Sequence, residues 1–518
     1  VPGRRLSLQP ARLAGQIRAG ASFAACVPPV NRISIAIAAR KEEESLMPKI
    51  AIIGAGSIIF STTLLNDLLQ TPGLEGWTYA LMGPTLSKLQ RVEEYTKKII
   101  AKNGLSAQVY STTDRRDAVK DADYVVTAFQ VGGMEAYKSD YMIPLKYGVD
   151  QCLGQCVGPG GVFRASRSIP VFAGLMRDME ELCPNAIILN YVNPMAACSI
   201  GMSMVGKIPF VGLCHGVQTT LDLIAGYVGE KKADIDFVAA GINHMAWFLK
   251  LEKDGVDLYP KLREVFERPE YYINEKVRGE AFRHFGYFMT ESTGHLSEYL
   301  PYFRKNQKAL DLYCDQPGFG GQSGAYYYFC DMLARKYQEV DYLSIEKGDL
   351  DPRSKEYCSN IVEAIETDKI FRFNGNIINQ GYIANLPDGC CVEVPMFADK
   401  YGLHPVAVGK LPQQLAMLNQ MNVSVQLLAA EAAVTGDPEL LFAAVAADPL
   451  TSAVLTLKEI RDMVGEMLED QRQWLPQYEG KSLRSLPIID TPPGTPGVDV
   501  PLDPALAIVH RFGKLAGS

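Results

Sequence analysis

Residues 49–60 read KIAIIGAGSIIF. An apolar run ends in Gly54 and Gly56 and passes into a stretch with helical character, so the local order is strand, glycine turn, helix. That order brings backbone amides to the amino end of a helix, where partial positive charge collects, and the glycines let a pyrophosphate approach. Strand-like segments recur at 78–82, 124–128, 186–191 and 210–213, separated by helical stretches such as 86–102 and 169–182. The alternation predicts an α/β fold built on a Rossmann-like, doubly wound parallel sheet of the lactate/malate dehydrogenase kind. Two departures stand out: Ile59 replaces the third glycine of the usual fingerprint, and the second strand ends in Met82-Gly83-Pro84, where an acid for the adenosine ribose is expected.

Outward from this core, residues 47–250 are expected to form the nucleotide-binding domain. Beyond 251 the alternation weakens into Tyr-, Phe- and Gly-rich segments (285–303, 317–329), a strand-like region at 371–394, and helices at 411–434 and 451–475. Residues 251–480 therefore read as a second, mixed α+β domain covering the strand ends. The first 46 residues carry six arginines and no acid up to Arg40, without periodicity. They are expected to be an extension ahead of Met47, the alternative being an Arg-rich transit peptide. Residues 481–518, with the tract DTPPGTPGVDVPLDP, read as a Pro/Gly-rich surface tail.

The 518 residues carry a net charge of -8, which argues against a nucleic-acid partner, and no apolar run reaches membrane-spanning length. Eleven cysteines lie without framework spacing. Most suit small core positions, and a thiol in the best motif points to the reducing cytoplasm.

That motif is VGLCHGV (211–217). It places Cys214 and His215 at a predicted carboxyl end of a strand, where open parallel sheets bind ligands. Two similar ends carry Asn190 and Asn193 (ILNYVNPM) and Asn243 and His244 (VAAGINHM). Cys214 and His244 are the candidate metal ligands, with softness favouring zinc, and His215 is a candidate general acid or base. Asn193 can bond a sugar hydroxyl or a nicotinamide amide. GPGGVFR (158–164) reads as a glycine loop ending in Arg164, a donor for a hydroxyl-rich or anionic ligand. TESTGHLSEY (290–299) gathers Glu291, His295 and Glu298 beside Tyr287 and Tyr299, the mixture of flat apolar faces and acceptors that a sugar site needs.

Taken in order, GAGSIIF, VGPGGVFR, NYVNPM, GLCHGV, GINHMAW, TESTGHLSEY and NLPDGCCVEVPMFADKYGLHP resemble glycoside hydrolase family four over roughly residues 49–475. The match is nearest the melibiase-like members, which act on unphosphorylated α-hexosides. The resemblance implies NAD and manganese as cofactors, the latter against the softness argument for zinc. It gives Gly54, Ala55, Gly56 and Ser57 as the NAD cradle, Cys214 and His244 as metal ligands, and Asn193 as a substrate contact; Arg164 and His295, from the residue patterns above, are the further substrate-binding candidates. The implied reaction oxidises C3 of the sugar, removes the C2 proton, eliminates the glycosidic oxygen and adds water before the hydride returns, without the paired carboxylates of ordinary glycosidases.

His215 stands where phosphoglycoside-hydrolysing relatives carry an acidic Asp, and Gln155 stands where melibiase-like members often carry one. Asp150 is then a substitute for Gln155, and Glu291, followed by Tyr287, is the candidate base. The expected substrate is an α-galactoside, with α-glucosides and α-galacturonides or glucuronides of the same family as alternatives. Two other functions stay open: an NAD-dependent dehydrogenase of a sugar or hydroxy acid, and an NAD-binding sensor without catalysis. The resemblance also implies a homodimer or homotetramer.

Overall fold

The computed structural model describes residues 47–345, 348–498, 501 and 503–515. The expected extension at 1–46 lies outside the described residues. Among the described residues, twelve strands form one sheet. In chain order they are β1 (Lys49–Ile53), β2 (Thr78–Met82), β3 (Gln108–Thr112), β4 (Tyr124–Thr127), β5 (Ile187–Asn190), β6 (Phe210–Leu213), β7 (Asp236–Ile242), β8 (Met245–Lys253), β9 (Val256–Asp257), β10 (Phe371–Ile378), β11 (Cys391–Asp399) and β12 (Gly402–Pro405). The spatial order is β3-β2-β1-β4-β5-β6-β10-β11-β7-β8-β9, with β12 beside β11.

The first six strands are mutually parallel and follow the 3-2-1-4-5-6 order of dinucleotide-binding sheets. Parallel strands need helical crossovers on both faces, which is why β1 is apolar at successive positions rather than at alternate ones. Ile50 and Ile52 enter one core with Leu64, Leu65 and Leu68 of the helix Ile58–Leu69. Ala51 and Ile53 enter the other with Phe163, Ile169 and Phe172 of the helix Gly158–Leu182. The α/β doubly wound class holds. β3 escaped the sequence reading because QVYST is a half-exposed edge strand that lacks an apolar run.

GPGGVFR is not a loop. It forms the first turns of the 25-residue helix Gly158–Leu182, with Pro159 in the opening turn, where its missing N–H costs nothing. Its glycines serve packing: a Cβ on Gly160 would lie 2.4 Å from the Gly154 carbonyl oxygen.

After β6 the sheet changes sense. β10 pairs antiparallel with β6, β11 with β10, and β7 with β11. β7 therefore runs opposite to β6. His244 does not arrive as a carboxyl end of the parallel set but on the two-residue turn of the β7–β8 hairpin, where Ile242 faces Met245. A buried network pins this hairpin to the helix Gln413–Thr435: the Trp247 indole donates to Asn419 Oδ1 (2.9 Å), and Asn419 Nδ2 donates to the Met245 carbonyl (2.8 Å).

No helix among the described residues is long and apolar enough to cross a membrane. From Arg484 onward the chain forms a separate unit, carrying the helix Pro504–Leu515. The sequence reading of a bare Pro/Gly-rich tail missed this helix. Its start is marked by Asp503, whose carboxylate accepts the Ala505 amide (2.7 Å), and by Pro504 at the first helical position.

Candidate functional site

The turn after β1 is held by β2: the amides of Gly54 and Ala55 both donate to the Met82 carbonyl, at 2.8 and 3.0 Å. Those two amides are thus committed to the fold. Gly54 has φ +100°, and a Cβ there would lie 2.4 Å from the Ala128 carbonyl oxygen, so only glycine lets β1 turn this close to the end of β4. Anion-binding capacity falls to Gly56 and to the open first turn of the helix Ile58–Leu69, which begins after Ser57. Gly56 is roomy, since a Cβ would meet nothing closer than Lys88 Cβ at 3.6 Å. A glycine-lined helix terminus at the point where the strand order reverses fits a dinucleotide pyrophosphate.

Beyond the end of β6, Cys214 is fixed through its backbone: its carbonyl accepts the Tyr357 hydroxyl, which also bonds the Asn374 carbonyl on β10 (2.9 Å). Its Sγ accepts the Gly216 amide at 3.4 Å. Glu291 is placed by the β7–β8 hairpin, because Thr290 exchanges hydrogen bonds with Ala246 (2.9 and 3.1 Å) and the Glu291 amide donates to Thr220 (3.2 Å). Ser292 then caps the helix Thr293–Tyr299, which delivers His295.

One ligand atom each from Cys214, His244 and Glu291 lies within 4.8 Å of the others. His244 Nε2 stands 3.6 Å from Glu291 Oε2. A second trio, Cys156, His244 and His295, meets the same 4.8 Å limit, is fully buried and shares His244. The two imidazoles meet edge to face at 4.5 Å, and Nε2 of His295 is buried without a hydrogen-bond partner.

The electrostatics fit a cation. Burial, reinforced by Glu393 and Glu291, pushes the Cys214 thiol well above its usual range. Burial lowers His244 and, with His244 facing it, takes His295 down to about 3, shifts that favour the unprotonated form able to ligate. Burial opposes ionisation of Glu291, but His244 and His295 outweigh it and its carboxyl is held below the usual value. A divalent ion among a thiol and a carboxylate would reverse the penalty on the thiolate.

His215 occupies the N-cap of the helix Gly216–Val228, half exposed, with Nδ1 2.7 Å from Glu356 Oε1. That carboxylate raises its pKa against the opposing effect of burial. Asn193 follows β5, and its Oδ1 is buried without a partner, an acceptor available to a ligand. Beside Glu291 a cavity of about 310 Å³ opens, bordered by Thr219, Asn274, Arg278 and Phe319.

Other candidates stand apart. Asp150 is bound to the buried Arg304 (2.8 Å) and accepts from Ser323 at the rim of a separate cavity, so its carboxylate is engaged in structure rather than facing the imidazoles. Tyr287 packs against Tyr259, ring centroids 5.8 Å apart. Arg167, three residues on from Arg164, is fully buried against Asp140. Arg164 is buried over the Tyr137 ring (4.9 Å) and donates to Gln155 Oε1 (3.1 Å), a neutral partner that leaves its charge available.

Residues the sequence reading passed over include Cys156, Glu356, Tyr357 and Glu393. Burial, with Glu291 nearby, raises Glu393 to about 8, and its Oε1 has no partner. Its one sequence signal is an acid inside the otherwise apolar run CVEVPMFA. Glu298 plays a structural part instead, accepting the amides of Leu153 and Gly154 (3.2 Å for the latter) and so anchoring the loop ahead of the long helix.

Burial raises Glu298 to about 7 from 4.5. Between those values the unfolded chain has released a proton that the fold still holds, so stability falls as pH rises from 4.5 to 7 and levels off above. The cost is on the order of 3 kcal/mol. Glu298→Gln, which keeps an acceptor for both amides, is expected to flatten this part of the profile in urea denaturation from pH 4.5 to 7.5. A slope identical to that of the parent would refute the assignment.

Residues 49–230 match the family model described as family 4 glycosyl hydrolase, and residues 239–451 match that of the family 4 glycosyl hydrolase C-terminal domain. An alpha-galactosidase of Rhizobium meliloti is 39% identical over 439 residues, covering 83% of this chain and 89% of that protein. An alpha-galactosidase of Bacillus subtilis is also 39% identical, over 441 residues, covering 84% of this chain and 100% of its own. In architecture the chain is similar to a 6-phospho-alpha-glucosidase from gut microorganisms in complex with NAD and Mn2+, with a TM-score of 0.69 and 20% identity over 83% of this chain and 99% of that one.

Proposed function

Because the chain belongs to glycosyl hydrolase family 4, we propose that it hydrolyses unphosphorylated α-galactosides with the help of a nicotinamide dinucleotide and manganese. The observation that carries this reading is the 39% identity to two alpha-galactosidases over nearly their whole lengths. The likeness of the fold to a protein in complex with NAD and Mn2+ supports the cofactors, as do the glycine-lined turn after β1 and the thiol–imidazole–carboxylate trio. Cys214 and His244 would hold the metal, and Gly56 with the adjoining helix terminus would hold the pyrophosphate. When bound, the two supply reversible oxidation of a sugar carbon and polarisation of the carbonyl so formed.

Everything else falls to side chains of the chain. Glu291, beside the cavity and 3.6 Å from His244, is positioned to take the carbon acid's proton. His215, oriented by Glu356, is positioned to return one to the departing oxygen. Asn193 offers its unpartnered oxygen to a hydroxyl. A thiol donor requires reducing surroundings, consistent with the cytoplasm.

Arg164 favours a second reading. A buried guanidinium with a neutral partner suits a substrate carboxylate, hence an α-galacturonide. The test is aglycone release from p-nitrophenyl α- and β-galactosides, glucosides and uronides, with and without nucleotide and Mn2+, following 340 nm alongside. Release from the α-galactoside that needs both additions, without accumulating reduced nucleotide, is expected. Preference for the uronide establishes the second reading. Steady reduction without aglycone, or nucleotide binding with no turnover at all, refutes the hydrolase.

A further inference from the structure

In dinucleotide-binding sheets the second strand commonly ends in a carboxylate, which bonds the adenosine ribose 2′-hydroxyl and repels a phosphate placed there; a nearby basic residue does the opposite. Here β2 is followed by Gly83, Pro84 and Thr85, and the sequence holds no acid from residue 82 to residue 92. The strand end is nevertheless in position, since the Met82 carbonyl binds the amides of both Gly54 and Ala55. A Cβ built on Gly83 would point across the nucleotide turn to the Gly56 amide nitrogen, 3.8 Å away, and its nearest contact would be the end of the Leu89 side chain at 3.3 Å. Position 83 is thus where a ribose carboxylate would stand, an added Cβ there would need only the movable end of Leu89 to give by a few tenths of an ångström, and the position carries no acid.

A cation occupies the neighbourhood instead. Lys88 lies in the first turn of the helix Leu86–Lys102, exposed, with Cβ and Cδ 3.6 and 4.0 Å from the point above Gly56. Thr85, the N-cap of that helix, and Ser87 are exposed beside it and offer hydroxyl donors. An ammonium, two hydroxyls and a helix amino end, with no acid among residues 82–92, are the surroundings that a phosphate monoester selects.

We propose that the nucleotide pocket accepts a phosphorylated ribose and binds NADP+ at least as tightly as NAD+, with Gly83 and Lys88 setting the preference. The proposal rests on the reading that a nicotinamide dinucleotide binds at the turn after β1, and the test separates the two. Isothermal titration of the full chain with NAD+ and with NADP+ should give the lower Kd, or an equal one, for NADP+. Gly83→Asp should invert the order, weakening NADP+ by at least about tenfold through like-charge repulsion while tightening NAD+. Lys88→Ala, a surface change, should weaken NADP+ by about tenfold and leave NAD+ within about twofold. NAD+ binding at least tenfold tighter than NADP+ in the parent chain, or equal loss of both nucleotides in Lys88→Ala, overturns the proposal. Failure of both nucleotides to bind the parent chain overturns the nucleotide reading itself.

Discussion

Replacing Cys214 with serine is expected to lower glycoside turnover by at least about 1000-fold while nucleotide affinity stays within about twofold. The expectation rests on what the thiol can and cannot lose. Its scaffolding is backbone: the Tyr357 hydroxyl on the Cys214 carbonyl and the Gly216 amide beneath the side chain both survive a change to hydroxyl. What disappears is a polarizable anion in a trio with His244 and Glu291, and a neutral serine is a poor ligand for a divalent ion. Several kcal/mol of charge stabilisation lost at about 1.4 kcal/mol per factor of ten gives the stated range. Single-turnover measurements at saturating nucleotide and Mn2+ check it. A variant within tenfold of the parent would remove Cys214 from the chemistry.

The largest effect on stability is expected at Asp140. Its carboxylate meets Arg167 through two bonds, 2.8 and 2.5 Å long, with both side chains wholly removed from solvent. Gln471 closes the network, accepting from Arg167 and donating to Asp140 Oδ1 (3.0 Å). Truncation to alanine strands a guanidinium in the interior between three chain segments, at a cost of about 3–5 kcal/mol. Asp140→Ala should therefore show a large fall in its urea midpoint. The double change Asp140→Leu with Arg167→Met removes both charges and should recover most of the loss. If the double variant is as unstable as the single one, packing rather than the orphaned charge is responsible.

Legibility from the sequence divides along the sheet. In the parallel half, strand and helix boundaries follow from local apolar runs and glycine turns: β2 and β6 fall at the residues read from the sequence, and the helix Leu86–Lys102 matches end to end. Cys214 and His244 stand out in the sequence as polar residues closing apolar runs, and the fold brings them together, although the direction of β7 was not legible, because pairing sense is a long-range property. GPGGVFR misled for a specific reason. Glycine signals conformational freedom locally, yet Gly160 and Gly161 are required by what lies against them, the Gly154 and Cys156 backbone, and that is invisible until the helix is docked. Asp150 failed similarly, since proximity in sequence to Gln155 carried no information about Arg304, 154 positions away. Glu393, Tyr357 and Cys156 reach the site only through tertiary contact.

His244 and Glu291 share a backbone property with Asp121, Asp254 and Asp368 among the described non-glycine residues. Both hold left-handed conformations, with φ of +64° and +74°, where a side chain costs about 1–2 kcal/mol relative to glycine. Selection for robustness alone would drift toward glycine at both places. A stabilisation screen that ignores activity is thus expected to enrich these two positions early, and its most thermostable progeny would be inert. The chain's working residues lie where durability and chemistry ask for different amino acids.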